Sequence, residues 1–353
     1  MRAAIFTGIG RSLEIHNVPE PTCEPGGLIL KVHYCGICGS DLHATQHGAF
    51  VVPPGTVLGH EFAGEIVESR AVGWKVGELA TAVPNNACSG CRASGLNECK
   101  DNLGILCPNN RITGYSTEVP GGFAEYVHVN AAHALRLPRE VNSRQGATVE
   151  PLAVGLHAVE KGKVKLGDRV LVIGGGPIGL AVVAFAKLAG AFHVVVSEYA
   201  EIRRNTSMAF GATGFIDPAK EVIAEAFARI AGGPPDVIFE CVGVPGLLQE
   251  CINLSAPRGR IVVVGVCMVE DKMIPMSGIF KEVNIQFVLG YGKPDWRLVL
   301  DLLDSKGLDS EPMITNVVTL DELPGQFEAL RKPVAQIKLL VNPGADAVSM
   351  KAH

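Results

Sequence analysis

The chain has 353 residues, of which 47% are hydrophobic and 19% charged, and its formal net charge is -5. This length and hydrophobic content predict a soluble globular protein of two domains. The acidic balance lacks the basic patch typical of nucleic-acid binding, and no run of about 20 apolar residues predicts a membrane span. The N-terminus has no apolar export signal, so we expect a cytoplasmic protein in which clustered cysteines bind metal.

Three short runs in the first 150 residues have the pattern of strands: 28–34, 61–68 and 125–129. Gly, Pro, Val and Ala are frequent between and within them, which indicates a β-rich domain with tight turns. The sequence thus favours a β-rich first domain over a helical one.

Residues 36–43 read Gly-Ile-Cys-Gly-Ser-Asp-Leu-His and carry the first chemical signal. Cys38 offers a thiolate, a soft zinc ligand. Ser40 offers a hydroxyl that can transfer a proton, and His43 an imidazole that can carry it onward. A single cysteine is more often a small buried apolar residue, so this segment predicts a metal site only together with further ligands.

Further ligands follow in the same domain. His60 and Glu61 stand together after Gly59, and Glu150 precedes a helical pattern. Cysteine, histidine and carboxylate form a catalytic zinc set when one position stays open to water or substrate. Asp41 is placed to accept the other ring N–H of His60 and so to orient it, or else simply makes a turn.

A second group of cysteines lies in a polar, turn-rich segment and predicts a structural zinc site. The spacing of Cys-x-x-Cys lets one turn present two sulfurs to one ion, whereas this segment offers little apolar packing to bury unrelated thiols. The cysteines are Cys88, Cys91, Cys99 and Cys107.

After residue 150 the sequence changes character. The apolar run 170–173 resembles a buried parallel strand, and Gly-Gly-Gly-Pro-Ile-Gly and a helical pattern follow it directly. The glycines allow a tight turn and a close approach of a pyrophosphate to the helix N-terminus. This strand, G-x-G-x-x-G loop and helix predict dinucleotide binding by Gly174, Gly176, Pro177, Ile178 and Gly179.

The next strand, 194–197, ends at Glu198. An acidic residue there is placed to bond the adenosine ribose hydroxyls and to repel a 2′-phosphate, which favours NAD over NADP. Arg203 and Arg204 lie one helical turn further on. They either accommodate a phosphate, which keeps NADP as an alternative, or form a solvated helix face.

Strand and helix patterns then alternate to about residue 291 and predict a doubly wound parallel sheet of α/β class. We therefore expect a Rossmann domain at 151–291. A β-rich catalytic domain at 1–150 precedes it, and residues 292–353 pack back onto that first domain.

The motifs at 36–43, 59–61, 150–157 and 174–179 together resemble the zinc-dependent medium-chain alcohol and polyol dehydrogenases, in the family's order and spacing. The resemblance is closer to the sorbitol and threonine dehydrogenase branch. It implies a GroES-like catalytic domain, a Rossmann domain and reversible oxidation of a secondary alcohol to a ketone.

Carried over by motif, the resemblance assigns catalytic zinc to Cys38 and His60, with Glu61 and Glu150 as ligands or exchange partners of the metal-bound water. It also implies that Ser40 and His43 form the proton relay. At the structural lobe, Asn85 stands where the family has its first cysteine, and an amide is a poor substitute for a thiolate at zinc. Either Cys107 supplies the fourth ligand, or the site has three sulfurs and binds zinc weakly, or it is empty.

The substrate is left open among a polyol, an amino alcohol and a cyclic or hydrophobic alcohol. The family also implies a homo-oligomer, a tetramer over a dimer. Two alternatives compete: a zinc-independent NADPH-dependent quinone or enone reductase on the same fold, and a non-catalytic dinucleotide-binding protein. The first predicts no Cys38 and His60 pair and no acid at Glu198, and the second predicts lost zinc ligands, whereas the chain has these residues.

Overall fold

The computed structural model describes residues 1–48, 50–86, 104–106, 110–332 and 335–345. The chain divides into two compact units. The first comprises Met1–Glu150, Gly292–Val334 and Lys338–His353, and the second comprises Pro151–Tyr291 and Ala335–Ile337.

The strands in chain order are β1 (Arg2–Phe6), β2 (Glu14–Asn17), β3 (Gly27–Gly36), β4 (Thr56–Val57), β5 (Glu61–Ser69), β6 (Leu79–Ala82), β7 (Asn85–Asn86), β8 (Arg111–Ile112), β9 (Tyr126–Asn130), β10 (Ala134–Arg136), β11 (Arg169–Ile173), β12 (His193–Ser197), β13 (Gly214–Ile216), β14 (Val237–Glu240), β15 (Arg260–Val263), β16 (Asn284–Phe287), β17 (Ile314–Thr319) and β18 (Lys338–Asn342). The α-helices are α1 (Gly39–Ala44), α2 (Ser143–Gly146), α3 (Val149–Lys161), α4 (Pro177–Leu188), α5 (Glu201–Ala209), α6 (Ile223–Ala231), α7 (Leu247–Leu254), α8 (Pro275–Ile279), α9 (Lys293–Asp304) and α10 (Leu323–Ala329). Short 3-10 helices lie at Gly104–Leu106 and Glu311–Met313.

The first unit is built on a mostly antiparallel sheet in the order β10-β6-β5-β3-β18-β17, with β9 also paired to β3. Strand β3 is buried along most of its ten residues because it has neighbours along both edges and a core over it. The core includes Leu28, Leu30, Phe62 and Phe327. A separate small sheet, β2-β1-β4, shares this core.

The second unit contains a six-stranded parallel sheet in the order β13-β12-β11-β14-β15-β16. After Arg169, strand β11 is apolar and buried at every position, as is typical of a parallel strand covered on both faces. Strand β11 pairs with β12 along one edge and with β14 along the other, so the strand order reverses at β11. In such sheets the carboxyl ends of the strands at this point form the ligand-binding crevice.

The predicted α/β class, with a GroES-like β-rich unit and a Rossmann sheet, is confirmed. Strand β13 carries only a weak strand signal in the sequence and was not predicted, because it has three residues and starts with glycine. In the described part of the chain, no helix is long and apolar enough to span a membrane.

Candidate active site

Strand β3 leads directly into helix α1, and this turn carries the first group of predicted residues. Cys38 is the N-cap of α1. Its backbone N–H donates to Oδ2 of Asp41 at 3.0 Å, so the carboxylate one turn ahead closes the start of the helix. A carboxylate in the first turn is also favoured by the helix dipole. The chain thereby fixes Cys38, Ser40 and Asp41 on one tight turn.

Strand pairing brings the second motif to the same place. In the antiparallel pair of β3 and β5, Gly36 lies opposite Glu61, so the end of one strand meets the start of the other. Gly59 has a φ of +94°, and a Cβ there would lie 2.7 Å from neighbouring side chains. A glycine is therefore required in the turn that presents His60 and Glu61.

Three side chains form a cluster of the kind that holds a metal ion. The Sγ of Cys38, a ring nitrogen of His60 and a carboxylate oxygen of Glu61 lie within 4.8 Å of one another. His60 and Glu61 are buried, and Cys38 is half-buried. Thiolate, imidazole and carboxylate are the ligands that catalytic zinc takes, so this donor set fits zinc.

The charges around His60 also favour a cation. Its Nδ1 lies 3.3 Å from Oδ1 of Asp41, and neither atom makes a hydrogen bond to any described residue. Burial lowers the pKa of His60, but Asp41 and Cys38 outweigh it and raise this pKa well above its ordinary value. Surroundings that favour positive charge on an imidazole favour a metal cation for the same reason.

Sequence reasoning missed Lys338, at the start of β18. Its Nζ donates to both carboxylate oxygens of Glu61, at 2.7 and 2.8 Å, and to the carbonyl oxygen of Ile37 at 3.0 Å. Burial lowers the pKa of Lys338, but Glu61 outweighs it and raises this pKa above its ordinary value, so the ammonium stays charged. The sequence shows Lys338 only as a lysine at the start of an apolar strand, and a lysine in such a position ordinarily faces solvent.

Ser40 lies between two partners. Its Oγ donates to Sγ of Cys38 at 3.0 Å and accepts a hydrogen bond from Oη of Tyr115 at 2.6 Å. Sequence reasoning also missed Tyr115, whose ring centroid lies 5.0 Å from that of His60 and 5.1 Å from that of Phe50. Burial, and then nearby negative charge, raise the pKa of Tyr115 well above its ordinary value, so its hydroxyl is a donor.

Two other predicted residues lie near this cluster. His43 is half-buried in the last turn of α1, where burial lowers its pKa, and its ring makes no hydrogen bond to Ser40. Glu150 is buried in the first turn of α3, outside the cluster of three, and its negative charge acts on both Lys338 and Tyr115. The metal-ligand and relay roles of both residues remain predictions.

The predicted structural zinc site lies outside the described residues, since Cys88, Cys91, Cys99 and Cys107 all fall there. Asn85, which replaces the family's first cysteine, is described. It is buried in β7, and its Oδ1 accepts a hydrogen bond from Nδ2 of Asn110 at 3.3 Å.

The glycine loop of the second unit has the geometry that its sequence predicts. Gly174 follows β11 with a φ of +96°, Gly176 is the N-cap of α4, and Pro177 is at the first helical position. A Cβ on Gly179 would lie 1.9 Å from the carbonyl oxygen of Gly174. The third glycine is therefore required for the helix to approach the loop, which leaves the helix N-terminus available to a phosphate.

Glu198 ends β12 beside this loop. One carboxylate oxygen accepts a hydrogen bond from Gly175 N–H at 2.8 Å and the other from Ala200 N–H at 2.8 Å. Nη2 of Arg203 donates to the carbonyl oxygen of Gln336 at 2.7 Å. Arg204, which is buried, donates to the carbonyl oxygen of Glu198 at 2.9 Å. Both arginines are thus engaged within the protein.

Two family models match this chain. The description "Alcohol dehydrogenase GroES-like domain" matches residues 24–139, and "Zinc-binding dehydrogenase" matches residues 177–305. The first range contains the Cys38, His60 and Glu61 cluster, and the second begins at helix α4.

Several dehydrogenases match almost the whole chain. (R,R)-butanediol dehydrogenase of Bacillus subtilis is 35% identical over 350 residues, which cover 94% of this chain and 97% of that protein. Mouse sorbitol dehydrogenase is 31% identical, over 93% of this chain and 92% of that protein. A zinc-binding dehydrogenase from Sinorhizobium meliloti, solved bound to NADP, superimposes with a TM-score of 0.88 at 33% identity, over 97% of this chain and 99% of that one. The chain therefore belongs to the zinc-dependent medium-chain alcohol and polyol dehydrogenase family, and it is an enzyme that reversibly oxidises a secondary alcohol to a ketone.

Proposed function

We propose that Cys38, His60 and Glu61 hold the catalytic zinc of this dehydrogenase, with Glu150 as a further ligand or exchange partner. The observation that carries this proposal is the mutual approach of the three donor groups within 4.8 Å, in surroundings that favour a cation. When bound, zinc supplies a Lewis acid that lowers the pKa of an alcohol hydroxyl, and the nicotinamide supplies a hydride acceptor.

The chain's own residues then handle the proton and the charge. Ser40 accepts the hydroxyl proton of the alcohol at Oγ and releases its own proton, which points to Sγ of Cys38 before the reaction, toward solvent and His43, whose ring is not hydrogen-bonded to Ser40. Asp41, whose Oδ1 lies 3.3 Å from Nδ1 of His60, would attract this side of the ring by its charge and so help to orient His60 for the metal. Lys338 neutralises the carboxylate of Glu61, so the buried pocket does not carry an uncompensated negative charge there.

The dinucleotide is bound by Gly174, Gly176, Pro177, Ile178 and Gly179, and NAD is the preferred form. Glu198 supports this preference, because its carboxylate at the end of β12, beside the glycine loop, would bond ribose hydroxyls and would repel a 2′-phosphate. The preference for NAD is also supported by Arg203 and Arg204, the two candidates for binding a 2′-phosphate. Both guanidinium groups already donate hydrogen bonds to main-chain carbonyl oxygens.

The substrate is a diol or polyol that carries a secondary hydroxyl. The two relatives support this choice over an amino alcohol or a cyclic or hydrophobic alcohol, since one is a butanediol dehydrogenase and the other a sorbitol dehydrogenase.

The enzyme works as a homo-oligomer, with a tetramer favoured over a dimer. Exposed large apolar side chains of the second unit support self-association, because such side chains are often buried at interfaces. Five of them lie in and beside helix α8 and one on the edge strand β16: Met273, Ile274, Met276, Ile279, Phe280 and Phe287. Light scattering of the purified protein measures the state directly, and a monomer at micromolar concentration would contradict this part of the proposal.

The proposal is tested by the absorbance of the reduced nicotinamide on mixing the protein with NAD or NADP and a panel of secondary alcohols, diols and polyols. Zinc per chain is measured by elemental analysis before and after chelation. We expect oxidation of diols or polyols with NAD, lost with the zinc and restored by adding it. Activity that persists after zinc is removed would refute the assignment of a catalytic zinc.

A further inference from the structure

We infer that Tyr115 is a positioning residue for the proton relay: its hydroxyl holds Ser40 in the orientation in which Ser40 can accept the alcohol proton. This inference rests on the proposed function of Ser40. The observation behind it is the hydrogen bond of 2.6 Å from Oη of Tyr115 to Oγ of Ser40, made across 75 positions of the chain.

The hydrogen-bonding capacity of a serine hydroxyl gives this contact its meaning. A hydroxyl has one donor and two acceptor lone pairs. The proton of Ser40 is directed to Sγ of Cys38 at 3.0 Å, and one lone pair is occupied by the proton of Tyr115. One lone pair remains, and its direction is fixed by the other two bonds. Ser40 is therefore held ready to accept a proton on one side.

The ring of Tyr115 is itself fixed, so it can hold Ser40. Its centroid lies 5.0 Å from the His60 ring, tilted by 54°, and 5.1 Å from the Phe50 ring, nearly edge-on at 72°. Such pairs are favourable aromatic contacts. A phenylalanine at this position would keep both contacts and lose only the hydroxyl. The ring of Tyr115 thus makes the packing contacts, and its hydroxyl makes the hydrogen bond to Ser40.

Without that link Ser40 can rotate about χ1 among its staggered positions, since a serine side chain is small and only half-buried here. Only some of those rotamers point a lone pair at the reacting hydroxyl. The loss therefore affects the turnover step more than the binding of alcohol, because the proton moves in the transition state.

The test compares Tyr115→Phe, Ser40→Ala and the double variant in the zinc-loaded enzyme, with the best alcohol of the panel. Tyr115→Phe is expected to lower kcat about 10-fold, as for one lost hydrogen bond, with KM changed less than about 2-fold and zinc content unchanged. In the Ser40→Ala variant, adding Tyr115→Phe is expected to lower kcat by less than about 2-fold. Tyr34→Phe is the matched control, because the Tyr34 hydroxyl, half-buried on β3, makes no hydrogen bond to the described residues.

A second readout needs no activity. In zinc-stripped protein, alkylation of Cys38 by iodoacetamide is followed by peptide mass spectrometry at a pH of about 10.5, well above the ordinary thiol pKa of about 8.5, with the buried Cys35 as internal reference. Releasing Ser40 removes its hydrogen bond to the sulfur and makes the thiolate more nucleophilic, so Tyr115→Phe and Ser40→Ala should each speed alkylation about 3-fold, and the double variant no further.

Two results would overturn the inference: an unchanged alkylation rate in Tyr115→Phe, or a loss of kcat from this change that is equally large without Ser40. The second would mean that Tyr115 acts on the substrate by itself. A wild-type enzyme that oxidises no alcohol would instead overturn the proposed function, while the alkylation rates would still decide whether Tyr115 positions Ser40.

Discussion

The ammonium group of Lys338 lies 2.7 Å from Oε2 and 2.8 Å from Oε1 of Glu61, and both side chains are buried. A buried charge is tolerated only when it is paired and hydrogen-bonded. The pair therefore fixes the carboxylate at the edge of the proposed metal cluster, and it also joins β18 to the start of β5.

In zinc-free protein, Lys338→Met should lower the free energy of unfolding by about 3–5 kcal/mol, because it leaves the Glu61 carboxylate buried without a counter-charge. Urea denaturation followed by circular dichroism measures this loss. Lys338→Arg keeps the charge and is the control. The double variant Lys338→Met, Glu61→Gln should recover much of the stability, and a double variant as unstable as the single one would refute the charge explanation.

Replacement of Cys38 should remove one zinc ion per chain, while replacement of its neighbour Cys35 should not. Cys38→Ala takes away the thiolate of the three-residue cluster. Cys35→Ala is a matched control, since this thiol is buried in β3 and burial raises its pKa well above the ordinary value. Zinc is measured by elemental analysis of dialysed protein. Equal zinc in Cys38→Ala and wild type would contradict the site.

Glu198→Gln should reduce the preference for NAD over NADP at least about 10-fold, because it removes the charge that bonds the ribose and repels a 2′-phosphate. The amide oxygen can accept from only one of the two N–H groups, Gly175 or Ala200, so the variant keeps part of the support of the loop. The measurement is the ratio of kcat/KM for the two cofactors. Glu201→Gln, on the exposed first turn of α5, is the control, and an unchanged ratio in Glu198→Gln would refute the assignment.

The ion pair of Asp236 and Arg169 should make the second unit sensitive to acid. The hydrogen bonds of Arg169 hold the pKa of Asp236 below its ordinary value. A carboxylate with a depressed folded pKa contributes stability above its unfolded value of about 3.9, and this contribution is lost as the pH falls through the folded pKa. Both groups are about a third exposed, so we expect only about 1 kcal/mol.

Asp236→Asn should accordingly lower the melting temperature at pH 7, and the difference from wild type should begin to shrink as the pH falls below about 4 and be lost as the pH falls through the lower folded pKa. Asp301→Asn is the control, because Asp301 is exposed on α9 and its carboxylate makes no hydrogen bond to the described residues. A difference that stays constant from pH 7 to pH 3 would show that the carboxylate charge is not the cause.

The sequence by itself predicted the glycine loop, the alternation of strands and helices in the Rossmann sheet apart from β13, and the donor residues Cys38, His60 and Glu61. These predictions were possible because each rests on residues close together in the chain, where spacing and turn chemistry determine the local geometry. The four cysteines of the structural site and the roles of His43 and Glu150 remain predictions from the same local patterns.

Only the tertiary structure assigned partners to these residues. Lys338 reaches Glu61 across 277 positions because β18 pairs with β3, and Tyr115 reaches Ser40 across 75 positions. The local pattern around each of these two residues resembles that of an ordinary strand or loop. Contacts between distant segments depend on which strands pair and in which register, and a single sequence carries no local signal for that choice.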